Sequence, residues 1–241
     1  QIYNELKEDQ IDVLLDDGVN NVAIGLNAMQ SNSDGAANAV NSAIAIGRNA
    51  MAGSVSNQGT IAIGYYAGEH ASADVDNAVI IGREAGRGAM TSGADGTVAI
   101  GYAASQALTS GANQVSIGYQ AGKALTTAAN STFIGYQAGL THTGANNVAI
   151  GDRAFANTDA DSNSLASTQN VAIGNFAMGG AINNTVTGAV AIGYYALGSA
   201  TCGTSASKGV YIGYHANIYN GGGQNIVIGG NAMQTANGTE T

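Results

Sequence analysis

Six tyrosines stand directly after an Ile-Gly dipeptide: Tyr65, Tyr102, Tyr119, Tyr136, Tyr194 and Tyr214. Aromatic rings repeated along a surface can stack on one another or on the faces of sugars. Tyr102, Tyr119 and Tyr136 fall in three consecutive intervals. They are expected to form a ladder, the candidate contact with a receptor or glycan. Other residue sets point to weaker chemistry. Asn157, Asp159, Asp161 and Asn163 alternate oxygen donors like part of a calcium loop, but the usual glycine and closing glutamate are missing. A solvated loop is expected there. Asp74 and Asp76 are a still smaller pair. His70, His142 and His215 lack metal-ligand spacing. Glycan cleavage needs two carboxylates held across a groove, and Glu69, Glu84 and Asp152 show no pairing by position. Cys202 is the lone cysteine and reads as a small apolar filler. No metal, cofactor or enzymatic activity is expected.

The elements that position these residues follow from composition and repetition. The chain has 241 residues, with 36 glycines, no proline and only 10% charged residues, well under the usual ~25%. Its surface must be built from Asn, Ser, Thr, Gly and Ala, which suits tight turns and not a helical bundle. The net charge of −9 rests on only seven basic residues. That excludes a phosphate-binding stripe and argues against nucleic acid or an anionic membrane surface as partner. No apolar run reaches the ~20 residues of a membrane span. Because the chain starts at Gln1 and not Met, it is expected to be a processed product or a fragment.

Ile-Gly occurs twelve times, at intervals of 16 to 23 residues. The third residue after each glycine is always alanine, and the third before it is always Val, Ile or, once, Thr132. The unit is [VIT]-x-I-G-x-x-A. A β-branched residue and Ile two apart share one face of an extended strand. Glycine then turns a corner at positive φ. Gly and Asn clusters, such as Ser110-Gly111-Ala112-Asn113, supply the opposite corner. A stretch such as Ala124-Leu125-Thr126-Thr127 reads as a second, more polar strand between the corners. Each repeat is thus one coil of a parallel β-solenoid of about 12 coils, all-β, with neighbouring strands about 4.8 Å apart.

The strand is apolar on both faces. With the β-branched residue and Ile turned inward, the middle residue must face out. That outward column is Ala23, Ala45, Ala62, Ile80, Ala99, Ser116, Phe133, Ala149, Ala172, Ala191, Tyr211 and Val227. An uncharged stripe of this length is expected to pack against copies of itself in a homo-oligomer.

The stretches from Asn147 to Ala154 and from Asn170 to Ala177 both read Asn-Val-Ala-Ile-Gly-x-x-Ala. They resemble the head repeats of trimeric autotransporter adhesins, the YadA-type parallel β-roll. The variant from Asn130 to Gly139, with its Gly-Tyr-Gln-Ala-Gly run, is similar to repeats in bacteriophage tail fibres. The resemblance covers residues 21 to 232, although the repeats here are longer and more variable than the adhesin unit. It implies a left-handed roll, a homotrimer, other fibre or tail proteins as neighbours, and an extracellular or virion location. The expected function is non-catalytic attachment to a host-cell surface glycan or protein. The alternative is a spacer that positions a distal receptor-binding domain.

Three regions are expected. Residues 1–18 form a charged, glycine-free lead-in, either a short helix or a cap on the first coil. Residues 19–233 form the β-roll, and residues 234–241 a polar tail. Extra residues near Ser31 to Val40, Asn157 to Thr168 and Gly198 to Ser207 are expected to be outer loops.

Overall fold

The computed structural model describes residues 20–30, 40–54, 56–70, 75–156, 167–180, 185–198, 207–216 and 224–232. The lead-in, the polar tail, nearly all of the three insertions, the 157–163 oxygen-rich run, Asp74 and Cys202 lie outside the described residues. The chain divides into two compact units, residues 1–114 and 115–241.

The first unit carries β1 (Val22–Ile24), β2 (Ile44–Ile46), β3 (Ile61–Ile63), β4 (Val79–Ile81) and β5 (Val98–Ile100). The second carries β6 (Val115–Ile117), β7 (Thr132–Ile134), β8 (Val148–Ile150), β9 (Val171–Ile173), β10 (Val190–Ile192), β11 (Val210–Ile212) and β12 (Ile226–Ile228). Within each unit every strand pairs in parallel with the next along the chain, and each Ile-Gly repeat is in register with its neighbour. The expected parallel β-solenoid is what forms in each unit. Helix among the described residues is limited to one short 3-10 turn, Ser92–Ala94.

Both corners are left-handed. The repeat glycine lies near φ +130 in every coil, and the residue two further on is also at positive φ, from Asn27 to Asn231. At the opposite corner Asn20, Ser42, Gly59, Asn77, Gly96, Asn113, Asn130, Asn146, Gln169, Gly188, Lys208 and Gln224 all have positive φ. Asn and Gly tolerate that region best, which is why they recur there.

The direction of the strand faces is the reverse of the sequence expectation. Ala23, Ala45, Ala62, Ile80, Ala99, Ser116, Phe133, Ala149, Ala172, Ala191, Tyr211 and Val227 point into the coil and are buried by the chain itself. They cannot form an interface between copies. The flanking Val, Ile and Thr residues face outward, half-buried along most of the sheet and exposed at β1 and β12. The reason is room. The interior already receives the invariant alanine, from Ala28 to Ala216, and the residue before each strand, such as Thr60, Thr97, Asn147 and Asn170. Two columns of Ile would not fit beside them, whereas one column that is mostly alanine does.

The return leg corrects a second expectation. Among the described residues it forms no named strand, only turns and two isolated bridges, Asn41 with Gln58 and Thr168 with Thr187. Nor is it chiefly polar, since Met90, Leu108 and Leu125 are fully buried core residues.

Core volume is shared between two positions of the repeat. The residue after the invariant alanine is large in four coils whose strand centre is alanine: Met51 with Ala45, Phe155 with Ala149, Met178 with Ala172, Leu197 with Ala191; Ala99 goes instead with the small Ser105. It is glycine where a strand centre nearby is large. A Cβ on Gly68 or Gly86 would lie 3.3 and 3.2 Å from Ile80, and one on Gly122 or Gly139 would lie 3.0 and 2.8 Å from the Phe133 ring. The Gly-Tyr-Gln-Ala-Gly variant is therefore the seat of a phenylalanine. Constant packing density demands this exchange.

Buried polar rungs complete the interior. Asn147 Nδ2 donates to the carbonyl of Ser167 at 2.9 Å, and its Oδ1 accepts from the Asn170 amide at 3.0 Å. Asn170 repeats the pattern one coil on, donating to Val186 and accepting from Ala189. Asn21 and Thr60 do the same in the first unit. Each satisfies backbone groups that burial would otherwise strand.

Candidate functional site

The two residues after each repeat glycine sit at the corner and are carried forward coil by coil. Backbone bonds hold their register: Glu84 N donates to Tyr65 O at 2.9 Å, Gln137 N to Tyr119 O at 2.8 Å, and His215 N to Tyr194 O at 2.8 Å. Side chains at these positions form two adjacent columns, and that is where the aromatic residues collect.

In the second unit the first column reads Tyr119, Tyr136, Asp152, Asn175, Tyr194, Tyr214, Gly230. Tyr119 and Tyr136 stack at 5.2 Å with nearly parallel planes, and both are exposed. Two members of the expected ladder are thus together. Tyr102 belongs to the first unit, where Arg83 lies 5.7 Å from its ring centre. Arg153 continues from Tyr136, with its guanidinium 5.3 Å from both the Tyr136 and Phe176 rings. Phe176 then stacks on Tyr195 at 4.8 Å, and Tyr195 on His215 at 5.3 Å. Tyr194 stacks on Tyr214 at 5.1 Å. Sequence reasoning missed the second column, Arg153-Phe176-Tyr195-His215. The signal was present: bulky rings recur two places after the glycine in three successive coils.

Stacked rings cover one another's faces. Along the ladder a ligand meets ring edges, hydroxyls and guanidinium groups. The open face is at the end. Tyr214 is the most exposed tyrosine among the described residues, at 55%, and the next coil places Gly230 beside it, with nothing within 4 Å of where that residue's Cβ would be.

In the first unit the same column alternates charge and ring: Arg48, Tyr65, Arg83, Tyr102. Arg48 and Arg83 lie 5.8 and 5.7 Å from the Tyr65 ring centre. Arg87 lies 4.5 Å over Tyr66 and donates through Nε to Glu69 at 2.8 Å. Tyr65 and Tyr66 meet edge to face, and the hydrogen bond between their hydroxyls pushes the Tyr65 phenol above its usual range.

The carboxylates singled out by position hold the scaffold. Glu69 pairs with Arg87, Glu84 takes bonds from Arg83 and Gln106, and Asp152 accepts from Asn175 at 3.2 Å. Asp76 accepts the Gln58 amide at 2.7 Å, and its own amide donates to Asp95. Asp76 is therefore part of a turn ladder. Among the described residues no three His, Cys, Asp or Glu side chains gather as a metal site, and no helix is long and apolar enough to cross a membrane.

The three histidines part ways. His70 is exposed beside Glu69, and His215 belongs to the ring ladder. His142 is fully buried, stacked on Phe155 at 4.3 Å and 2.8 Å from Asn147 Nδ2. Burial pushes its pKa down to about 4, against the smaller opposing pull of the Gly144 and Ser167 carbonyls. Folded His142 stays neutral while the unfolded chain takes up a proton below its ordinary value near 6.5. Stability is therefore full above pH 6.5 and falls as pH drops towards 4, by at most roughly 3 kcal/mol from this residue. Urea unfolding at pH 7.5 and pH 4 should show a larger loss for the native chain than for His142→Leu. Equal losses would mean that the buried ring does not govern the acid limb.

No family model, curated protein or solved structure matches this chain. The functional reading rests on the geometry just described and on the repeat resemblance.

Proposed function

We propose that this chain is a segment of a homotrimeric, left-handed β-roll fibre, of the adhesin or phage tail-fibre kind, that attaches to a cell surface without catalysis. The observation that carries this reading is the outer face of the strands. Its two columns hold 24 residues, of which all but Thr132 are Val or Ile. A soluble chain rarely leaves an aliphatic face of the size found in each unit to water. Copies of the same chain, set face to face about a closed symmetry axis, would cover it. Three copies is the number implied by the resemblance. The corrected strand direction supports self-association more strongly than the expected one did, because two aliphatic columns replace one that is mostly alanine.

Attachment is supported by where the exposed side chains fall. Tyrosines and arginines concentrate at one corner of the coil, in a chain otherwise poor in both charge and aromatic residues. An extracellular or virion location and other fibre proteins as neighbours complete the proposal.

Light scattering on the soluble protein should give the mass of three copies. Ile134→Asp places a charge on the outer face. It should shift that mass to one copy or cause precipitation. A native chain that runs as a single copy, with Ile134→Asp changing stability by less than about 0.5 kcal/mol, would overturn the oligomer. A trimer that binds neither cells nor glycans would favour the spacer reading.

A further inference from the structure

We propose that the Arg48–Tyr65–Arg83 cluster of the first unit binds the carboxylate or sulfate group of an acidic sugar. The inference rests on the attachment reading and names its ligand class. The chain has seven basic residues against sixteen acidic ones. By number alone the basic residues are too few for a binding stripe. The fold instead brings three of them, Arg48, Arg83 and Arg87, onto neighbouring coils around two tyrosines.

The three arginines are not equally engaged. Arg83 and Arg87 bond to Glu84 and Glu69 through Nε, so those bonds leave the terminal nitrogens of each guanidinium uncommitted. Arg48 has no carboxylate partner among the described residues, and its guanidinium lies against the Tyr65 ring. Arg48 and Arg83 are exposed, and Tyr65 is exposed between them. Since β2, β3 and β4 are in register, Arg48 and Arg83 stand two coil steps apart, about 10 Å. A planar guanidinium offers a paired fork to a carboxylate or sulfate.

The spacing also selects the ligand. A dense polyanion would feel the net charge of −9 and find few cations to meet it. A ligand with sparse charge set among hydroxyl groups matches two arginines separated by tyrosine edges. That is the character of a carboxylated or sulfated sugar.

The test is glycan-array binding by the intact chain, using uronic acid oligomers, sulfated galactose oligomers and their neutral parents. Acidic probes should be retained and neutral ones not, with retention falling as salt is raised. Arg48→Ala should weaken acidic-probe binding about 10-fold or more. Lys123→Ala, the same charge change in the second unit, should leave it within about 2-fold. An unchanged circular dichroism melt keeps Arg48→Ala interpretable, and Arg48→Gln serves if the alanine variant misfolds. Cell binding that persists with no acidic preference, or that ignores Arg48→Ala, overturns the acidic-sugar site and leaves attachment standing. Equal retention of a glutamate-rich peptide overturns the sugar assignment. Silence towards both cells and glycans overturns attachment, and the acidic-sugar site with it.

Discussion

Gly151→Ala should abolish the cooperative melt of the second unit or lower its midpoint by about 10 °C or more, a cost of roughly 4 kcal/mol or above. Two effects combine. Gly151 has φ +135, a backbone region that L-residues rarely enter. A Cβ there would lie 2.6 Å from the Gly174 carbonyl oxygen and 2.7 Å from its carbon. Both obstructing atoms are backbone, locked by the bond from Gly174 N to Ile150 O at 2.8 Å. No side chain can swing away, so the coils must part. The opposite corner supplies the contrast. Gly188 also has positive φ, but its Cβ would meet nothing closer than Lys208 Cγ at 3.7 Å. Other coils hold Asn113, Asn130 and Asn146 at that position with φ near +57. Gly188→Asn should cost no more than about 1 kcal/mol. Thermal melts followed by circular dichroism compare the two directly. A mild Gly151→Ala phenotype would mean that successive glycine corners do not lie against one another.

Phe133→Ala should cost about 3–5 kcal/mol, and Gly139→Leu should restore part of it. Phe133 is fully buried, with its ring against Gly122 and Gly139. Removing it leaves a cavity that a backbone corseted on both sides cannot close. Gly139→Leu alone overfills the same space, since its Cβ would begin 2.8 Å from the ring. The double variant recreates a pairing the protein already uses. Ala191 with Leu197 fills the tenth coil, and Leu197 adopts φ +50, close to the +60 of Gly139. The two substitutions should therefore couple by about 2 kcal/mol in the favourable direction. Urea unfolding of the four proteins measures the cycle. Additive losses would show that strand centre and post-alanine position do not share one volume.

Much of the fold was legible because repetition multiplies a weak local signal. One Val-Ala-Ile-Gly run says little. Twelve with an invariant alanine three places on require superposed coils, and both left-handed corners could be placed from Gly and Asn. The tyrosine column was legible for the same reason, as Tyr119 and Tyr136 show. Face direction was not. Hydrophobicity alone favours putting Val and Ile inside, and the alanine column outside. The cue that argued otherwise was size: Phe133 and Ile80 vary against glycines four places past the repeat glycine, and only residues sharing an enclosed space compensate in volume. The arginine cluster was hidden because Arg48, Arg83 and Arg87 lie up to 39 positions apart along the chain, and unequal coil lengths disguise their shared side.

By itself the sequence determined the parallel coil, its corners and the register of its columns, since these follow from backbone preferences repeated at each glycine. Only the tertiary structure decided which side of each strand is the inside. That choice depends on how much volume the opposing leg and the alanine corner leave free, a property of the closed coil and of no single residue in it.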